Sequence, residues 1–278
     1  LGRRPGFRVG LLLTPPMLWL GVAYLGALAA LFITSLWTQN DFTGQIERVW
    51  TLDNFRDLFT IEVYRTITVR TLLIAALVTV VDAVLAFPIA LYMAKVASPR
   101  AQRLLVISVL MPLWASYLVK AYACAGCSRR VADLVAGRAV RPRQPGLRAA
   151  GDHDRAGLPL AAYMILPVFA GLERLPDSLL EASSDLGAHS WTTLRRVVLP
   201  MAFPAVVAGS IFTFSLSMGD YIAVRIVGGT GQLLGNVVYD NVGAANNLPF
   251  AAAVATVPVV VMLVYLAVVR RTGALENL

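Results

Sequence analysis

Histidine, cysteine and charge are all scarce in this chain, and each scarcity closes a class of function. Its 278 residues hold two histidines and two cysteines. Cys124 and Cys127 are too few for a disulfide framework, and an isolated CAGC pair without a second pair or a histidine cluster completes no metal or redox site. His153 and His189 fall on opposite sides of the membrane in the topology derived below, which leaves a Ser-His hydrolase or an intramembrane metalloenzyme without support. No GxxxxGK[ST] phosphate loop occurs, so no ATP site is expected on this chain. Charged residues make up only 14% of the sequence against 58% hydrophobic, and the mean hydropathy of +0.69 lies far from that of a soluble domain. The net charge of +8 could point to nucleic acid, but the arginines mostly flank apolar runs. That is the topology signal of a membrane protein, and no nucleic-acid partner is expected.

What is present is a series of apolar runs. Arg3, Arg4 and Arg8 precede one from Val9 to Trp37. A signal-peptide core is only about 7–15 residues long, whereas roughly 20 suffice to span a bilayer. The run therefore predicts a retained first helix with a cytoplasmic N-terminus, and Pro15 and Pro16 mark a kink or the helix start. The acidic stretch Thr38 to Arg65 reads as an outside loop with a short surface helix around Leu52 to Phe59. Thr66 to Ala94 is the second span, with Lys95, Arg100 and Arg103 returning it inside, and Pro88 within it predicts a kink. Leu104 to Ala123 is the third, interrupted by Pro112. A fourth crossing around Ala156 to Leu175 is short, but the alternation of sides requires it. Phe203 to Ala223 is the fifth. A wet segment with Asn236, Asp240, Asn241, Asn246 and Asn247 leads to the sixth, Phe250 to Val269, which Arg270 and Arg271 stop on the cytoplasmic side. The expected fold is an all-α polytopic membrane protein: one transmembrane domain over residues 1–278, six helices, both termini inside.

Residues 124–155 break the pattern. Seven arginines and three acids lie among proline and glycine, on the side where a dense arginine run is disfavoured. A basic partner-binding loop and plain disorder are two readings. A third, a local reading-frame slip in a GC-rich gene, accounts best for the mixture of Arg, Ala, Gly and Pro.

The polar stretch Leu179 to Pro200, LLEASSDLGAHSWTTLRRVVLP, is regular without being apolar enough to cross. Gly187 divides two short amphipathic patterns and Pro200 closes the second, which predicts a helix-turn-helix elbow. Its apolar face is too small for a membrane span and calls for a partner surface outside the bilayer.

Glu181-Ala182-Ser183, Gly187-Ala188 and Leu199-Pro200 match the spacing of the EAA loop of permease subunits in binding-protein-dependent ABC importers. Ser183 stands where that loop usually has a second alanine, and Leu194 where phenylalanine is frequent. The stretches YMILPVFAGLERLPDSLLEASSDLGA (163–188) and SMGDYIAVRIVGGTGQLLGNVVYD (217–240) resemble the spermidine/putrescine branch, its B-type subunit in particular. The likeness covers nearly all of residues 9–270 and fails at 124–155. It implies a type I ABC importer transmembrane domain in a bacterial cytoplasmic membrane, with residues 178–200 as the cytoplasmic coupling loop. Glu181, Ala182, Asp185, Leu186, Gly187, Ala188, Trp191, Leu199 and Pro200 would then meet the ATPase. The implied partners are ABC ATPase subunits that use ATP and Mg, a second homologous permease, an extracytoplasmic solute-binding protein and the lipid bilayer. This chain itself would hold no cofactor or metal and catalyse nothing.

A polyamine path needs acids or aromatic faces to hold cations. Asp82, Trp114, Asp220 and Tyr221 are candidates, and Tyr117 and Tyr122 fit better as lipid-interface anchors. Asp82 serves equally as an intersubunit or interhelical hydrogen-bonding group. A secondary transporter is the rival class, since a buried acid and proline-broken helices suit one, but it leaves the elbow unexplained. A non-transporting membrane scaffold is the third.

Overall fold

An apolar run in lipid satisfies its backbone polar groups by coiling, and the computed structural model of this chain is helical throughout its described apolar runs. It describes residues 5–40, 43–115, 119, 161–227 and 231–271. In order these form α1 (Pro5–Ser35), β1 (Thr38–Gln39), β2 (Ile46–Glu47), α2 (Asp53–Thr60), α3 (Glu62–Leu91) and α4 (Pro99–Trp114). Then come α5 (Ala161–Glu173), α6 (Asp177–Asp185), α7 (Ser190–Thr193), α8 (Leu199–Gly219), α9 (Ile222–Val227), α10 (Leu234–Gly243) and α11 (Leu248–Arg271). Wider π-helical turns at Tyr92–Val96 and Leu194–Val198 extend α3 and join α7 to α8.

Four continuous helical stretches are long and apolar enough to cross a bilayer: Leu13–Ser35, Glu62–Val96, Ser190–Gly219 and Leu248–Arg271. They account for the expected first, second, fifth and sixth spans. The third begins in α4, at Pro99 and not Leu104, and its continuation lies outside the described residues. Of the fourth, the 13-residue α5 is described. The basic segment 124–155, with Cys124, Cys127 and His153, lies wholly outside the description, as do Tyr117 and Tyr122.

Several boundaries correct the sequence reading. Pro15 and Pro16 lie inside α1, which begins at Pro5. The fifth span ends at Gly219, not Ala223, because Asp220 turns to an extended conformation (φ −77°, ψ 99°). The wet segment beyond it is largely helical, as α9 and α10.

The helices fall into two compact units, formed by the described residues within 1–65 and 237–257, and within 66–236 and 258–278. In the first, β1 and β2 pair antiparallel with Thr38 opposite Glu47. The Asn54 amide of α2 donates to the carbonyls of Ser35 (3.0 Å) and Trp37 (2.7 Å), tying α2 to the end of α1. The Tyr64 and Phe250 rings meet at 4.8 Å.

In the second unit, α3 buries one face at Ile67, Thr71, Ala75, Thr79, Asp82, Ala86 and Ala90. That three-to-four spacing is one helical stripe, and its small residues admit close packing. Leu73, Leu77, Val80 and Val84 on other faces are exposed, as hydrocarbon contact requires. The core gathers Ala86, Ala90 and Met93 with Met164, Ile165, Val168, Phe169 and Leu172 of α5 and Ala202 of α8. Helices α5 and α8 approach so closely that a Cβ added to Gly171 would collide with the Ala205 methyl.

Candidate functional site

The elbow is built by local bonds. Helix α6 ends at Asp185, and Gly187 takes φ +74°, a conformation that disfavours any side chain. The Gly187 amide donates to the Ser184 carbonyl (2.8 Å) and the Ala188 amide to the Ser183 carbonyl (3.1 Å). These two bonds form a Schellman closure, which satisfies the last carbonyls of α6 and turns the chain. His189 caps α7 through its backbone carbonyl, which accepts from the Thr192 and Thr193 amides. The hydroxyls of Ser183 and Thr193 meet at 2.8 Å across the bend and tie its two arms.

The elbow has two faces. Leu175, Leu180, Leu194 and Val198 pack against the core of the second unit. At the tip, Leu186 is 88% exposed and Trp191 70% exposed, an apolar pair with nothing among the described residues over it. Glu181, Ala182, Asp185 and Gly187 are exposed as well, and Ala188 is half-buried. Leu199 is about half exposed and Pro200 exposed. Pro200 does not close the second helix, contrary to the sequence expectation. It sits in the first turn of α8, and the chain stays helical from Ser190 to Gly219. The π turn explains this. The Leu199 amide reaches back to the Leu194 carbonyl, where an ordinary α turn would take it to Arg195, and the wider ring accommodates a proline that lacks an N–H.

At its other end the elbow is held by a residue that the sequence marks only as a topology charge. The Lys95 ammonium donates to the Leu175 carbonyl and to Asp177 Oδ1, each at 2.6 Å. Nearby, the Gln102 amide donates to Glu173 Oε1 (3.3 Å). Only proximity in the fold reveals these partners, since no local pattern marks them.

The four path candidates are placed differently. Asp82 is 2% exposed in the packed stripe of α3, and its Oδ2 has no hydrogen-bond partner among the described residues. Trp114 is 91% exposed at the end of α4. A shielded carboxylate and an outward indole do not share one surface. Asp220 and Tyr221 form the break between α8 and α9, both half-buried. The Asn236 amide donates to the Tyr221 carbonyl (3.2 Å), while Asn236 Oδ1 accepts from the Leu233 amide (3.3 Å). Thr71 Oγ1 of α3 accepts from the Leu234 amide (3.0 Å) and so caps α10. Asn236, which the sequence places in a wet loop, is a buried fastener of broken backbone. Among the described residues no cluster of His, Cys, Asp and Glu could hold a metal ion.

Residues 156–272 match the family described as the inner membrane component of binding-protein-dependent transport systems. The inner membrane ABC transporter permease protein YdcU of Escherichia coli K12 is 42% identical, over 99% of this chain and 92% of its own length. The spermidine/putrescine transport system permease PotB of Haemophilus influenzae is 28% identical over 82% of this chain and 81% of that one. PotB of E. coli K12 is 27% identical over 88% and 90%. Among solved structures, a chain of a bacterial ABC transporter involved in import of the acidic polysaccharide alginate superposes with TM-score 0.68. It is 16% identical and the match covers 95% of this chain and 96% of that one. A chain of the MetNI methionine ABC transporter gives 0.52 at 19% identity, covering 78% and 99%. The fold is thus that of ABC importer membrane chains, and with the YdcU relationship it establishes that this protein belongs to the inner-membrane permease family of binding-protein-dependent ABC importers, whose members transport and do not catalyse.

Proposed function

We propose that this permease admits polyamines of the spermidine/putrescine class and that residues 178–200 dock on the ATP-hydrolysing subunit. The observation that carries the docking is the exposed Leu186–Trp191 tip on an elbow whose other face is seated in the core. Because α7 runs without interruption into α8, a push on the tip moves a membrane span. Glu181 and Asp185 supply polar contacts at the groove, Leu186, Ala188 and Trp191 the apolar one, and Gly187 the bend. The groups working around it are ABC ATPase subunits using ATP and Mg, a second homologous permease and an extracytoplasmic binding protein. Six crossings with both termini inside follow from the basic clusters, so reporter fusions after residues 50, 100, 190 and 235 should read out, in, in and out. A cytoplasmic signal at 50 sinks that topology.

The polyamine assignment is supported by the PotB relatives and by the acid and aromatic at the α8–α9 break, Asp220 and Tyr221, which can hold an organic cation. Uptake by proteoliposomes carrying the complete importer tests it with radiolabelled spermidine and putrescine against thiamine, ferric iron and a phosphonate. Uptake of one of the latter, without polyamine uptake, overturns it.

For residues 124–155 we propose a frame slip, a reading that the genetic code permits. The family match begins at residue 156. Asp152, His153, Asp154 and Arg155 are encoded by GAY, CAY, GAY and CGN or AGR codons. Read one base later, the three overlapping triplets can encode only Thr or Ile, Thr or Met, and Thr or Ile. An acid-histidine-acid run becomes an uncharged run suited to the start of the short fourth span. Resequencing the gene decides: a stop codon or a charged continuation in that frame removes the explanation.

A further inference from the structure

The elbow is fastened to the core at two places, and one of them involves a different span from the one it continues into. Its far end runs into α8. Its near end, the corner Arg174-Leu175-Pro176 between α5 and α6, is gripped by Lys95 at the end of α3. The geometry there is specific. Leu175 precedes a proline, and the N-cap position of α6, Pro176, makes no side-chain cap bond. The Leu175 carbonyl lies just past the end of α5, where the helix dipole favours a cation. Lys95 Nζ reaches it at 2.6 Å and at the same time takes Asp177 Oδ1, the acid in the first turn of α6, at 2.6 Å. Lys95 is mostly buried, 14% exposed, while Asp177 is 76% exposed. The ammonium is thus held on the core side and the carboxylate on the water side. The Lys95 stem springs from the π turn Tyr92–Val96, a widened turn of the kind that recurs at functional sites.

We propose that Lys95 is a positioning residue that couples the elbow to α3, so that displacement of the elbow by the ATPase reaches α3 as well as α8. This rests on the docking role proposed above. One ammonium shared between a helix-end carbonyl and a first-turn carboxylate fixes the corner from two directions. Neither contact alone would stop α6 pivoting on Pro176. With both made, α3 and α6 move as one body, and the packed stripe carrying Asp82 moves with them.

The test uses the assembled importer, with nitroxide pairs read without nucleotide and after trapping with ATP and vanadate. A Val96/Ser178 pair reports the clamp. A single distance, the same in both states, is expected, and Lys95→Met should lose it while Lys95→Arg keeps it. A Val69/Phe212 pair reports α3 against α8. A constant distance is expected in the unmodified importer and in Lys95→Arg, because α3 and α8 both follow the elbow, and a nucleotide-dependent shift in Lys95→Met, where α8 follows it alone. A Val69/Phe212 distance that shifts with nucleotide in the unmodified importer, or that stays constant in Lys95→Met, overturns the proposal, as does a Val96/Ser178 distance that changes with nucleotide in the unmodified importer. A merely structural lysine would alter thermal stability and leave the α3–α8 distance insensitive to nucleotide in Lys95→Met. If Lys95→Met fails to insert, Asp177→Asn serves: it removes the charge pair at an exposed position and should broaden the Val96/Ser178 distance, and an unchanged distribution overturns the clamp. Failure of the docking role looks different, since Trp191→Ser would then leave ATPase capture intact.

Discussion

The elbow and the break after α8 both interrupt a helix beside a glycine, yet they are finished in opposite ways. At the elbow the interrupted backbone is repaired locally, by the Gly187 and Ala188 amides within five residues, and the apolar tip is left outside. At the break the repair is long-range and buried: Asn236 reaches the Tyr221 carbonyl, and Thr71 reaches the Leu234 amide across 163 residues. A Cβ on Gly235 would come 3.1 Å from the Gly219 carbonyl, so the two backbone segments are in contact there. One region is complete as backbone and unfinished as surface. The other is finished only by its own chain. On the function proposed above, the difference separates a docking element, which a partner completes, from a fixed irregularity of the kind that lines a path.

The sharpest way to break this contrast is Trp191→Ser. Truncating a central interface tryptophan costs about 2 kcal/mol or more, roughly thirtyfold in Kd. ATPase capture should fall by that much while the Tm of the isolated permease in detergent hardly moves. A drop in Tm with capture intact would mean the tip is folded onto something of its own chain. Asn236→Ala should do the reverse. It leaves the buried Leu233 amide unpaired, at a cost of about 1–3 kcal/mol, whereas the Tyr221 carbonyl still accepts from the Arg225 amide. Tm should fall with ATPase capture unchanged, and equal loss of both would merge the two regions into one cooperative unit.

Legibility in the sequence follows the same divide. The bend at Gly187, the two faces of the elbow and four span-length helices can be read because each rests on spacing within one stretch. Pro200 misleads because a proline need not end a helix that its neighbours support, as Pro15 and Pro16 show inside α1; at Pro200 a π turn over Leu194–Val198 precedes it, and nothing in LRRVV announces that turn. Asn236 reads as solvent-facing because asparagine usually is, and its burial is decided by backbone groups far from it in the chain. Lys95 reads as a topology charge, since its partners lie 80 and 82 residues away. Asp82 is legible as a misfit in an apolar helix, but the company it keeps is not.

Gly187→Ala comes next in size. Open space surrounds the position, so the added methyl meets no neighbour and the whole effect is backbone strain at φ +74°. A left-handed alanine costs about 1–2 kcal/mol, which the elbow can relieve by unwinding the end of α6. ATPase capture should weaken severalfold, and Gly187→Asn should recover part of it, since asparagine tolerates that conformation better. Indistinguishable Ala and Asn variants would show that the bend is not what presents the tip.

The smallest effect is expected at Glu181, and it discriminates between two kinds of contact. Glu181 is exposed on α6, so its carboxylate keeps its water until docking and its field is screened by salt within about 10 Å at 0.1 M. A charge at the rim of an interface steers association more than it holds the complex, and an exposed pair contributes about 0–1 kcal/mol. Glu181→Ala should therefore slow the association rate with the ATPase at low salt and leave dissociation nearly unchanged. Raising the salt should erase the difference from the unmodified permease, and Glu181→Gln should behave as Glu181→Ala does. The result against this reading is an equally specific one. If the deficit persists at high salt and appears in the dissociation rate, Glu181 is stripped of water in the docked state and the groove closes over α6. The docking surface would then extend from the Leu186–Trp191 tip along the whole helix, and the polar arm of the elbow would hold the ATPase as tightly as its apolar point.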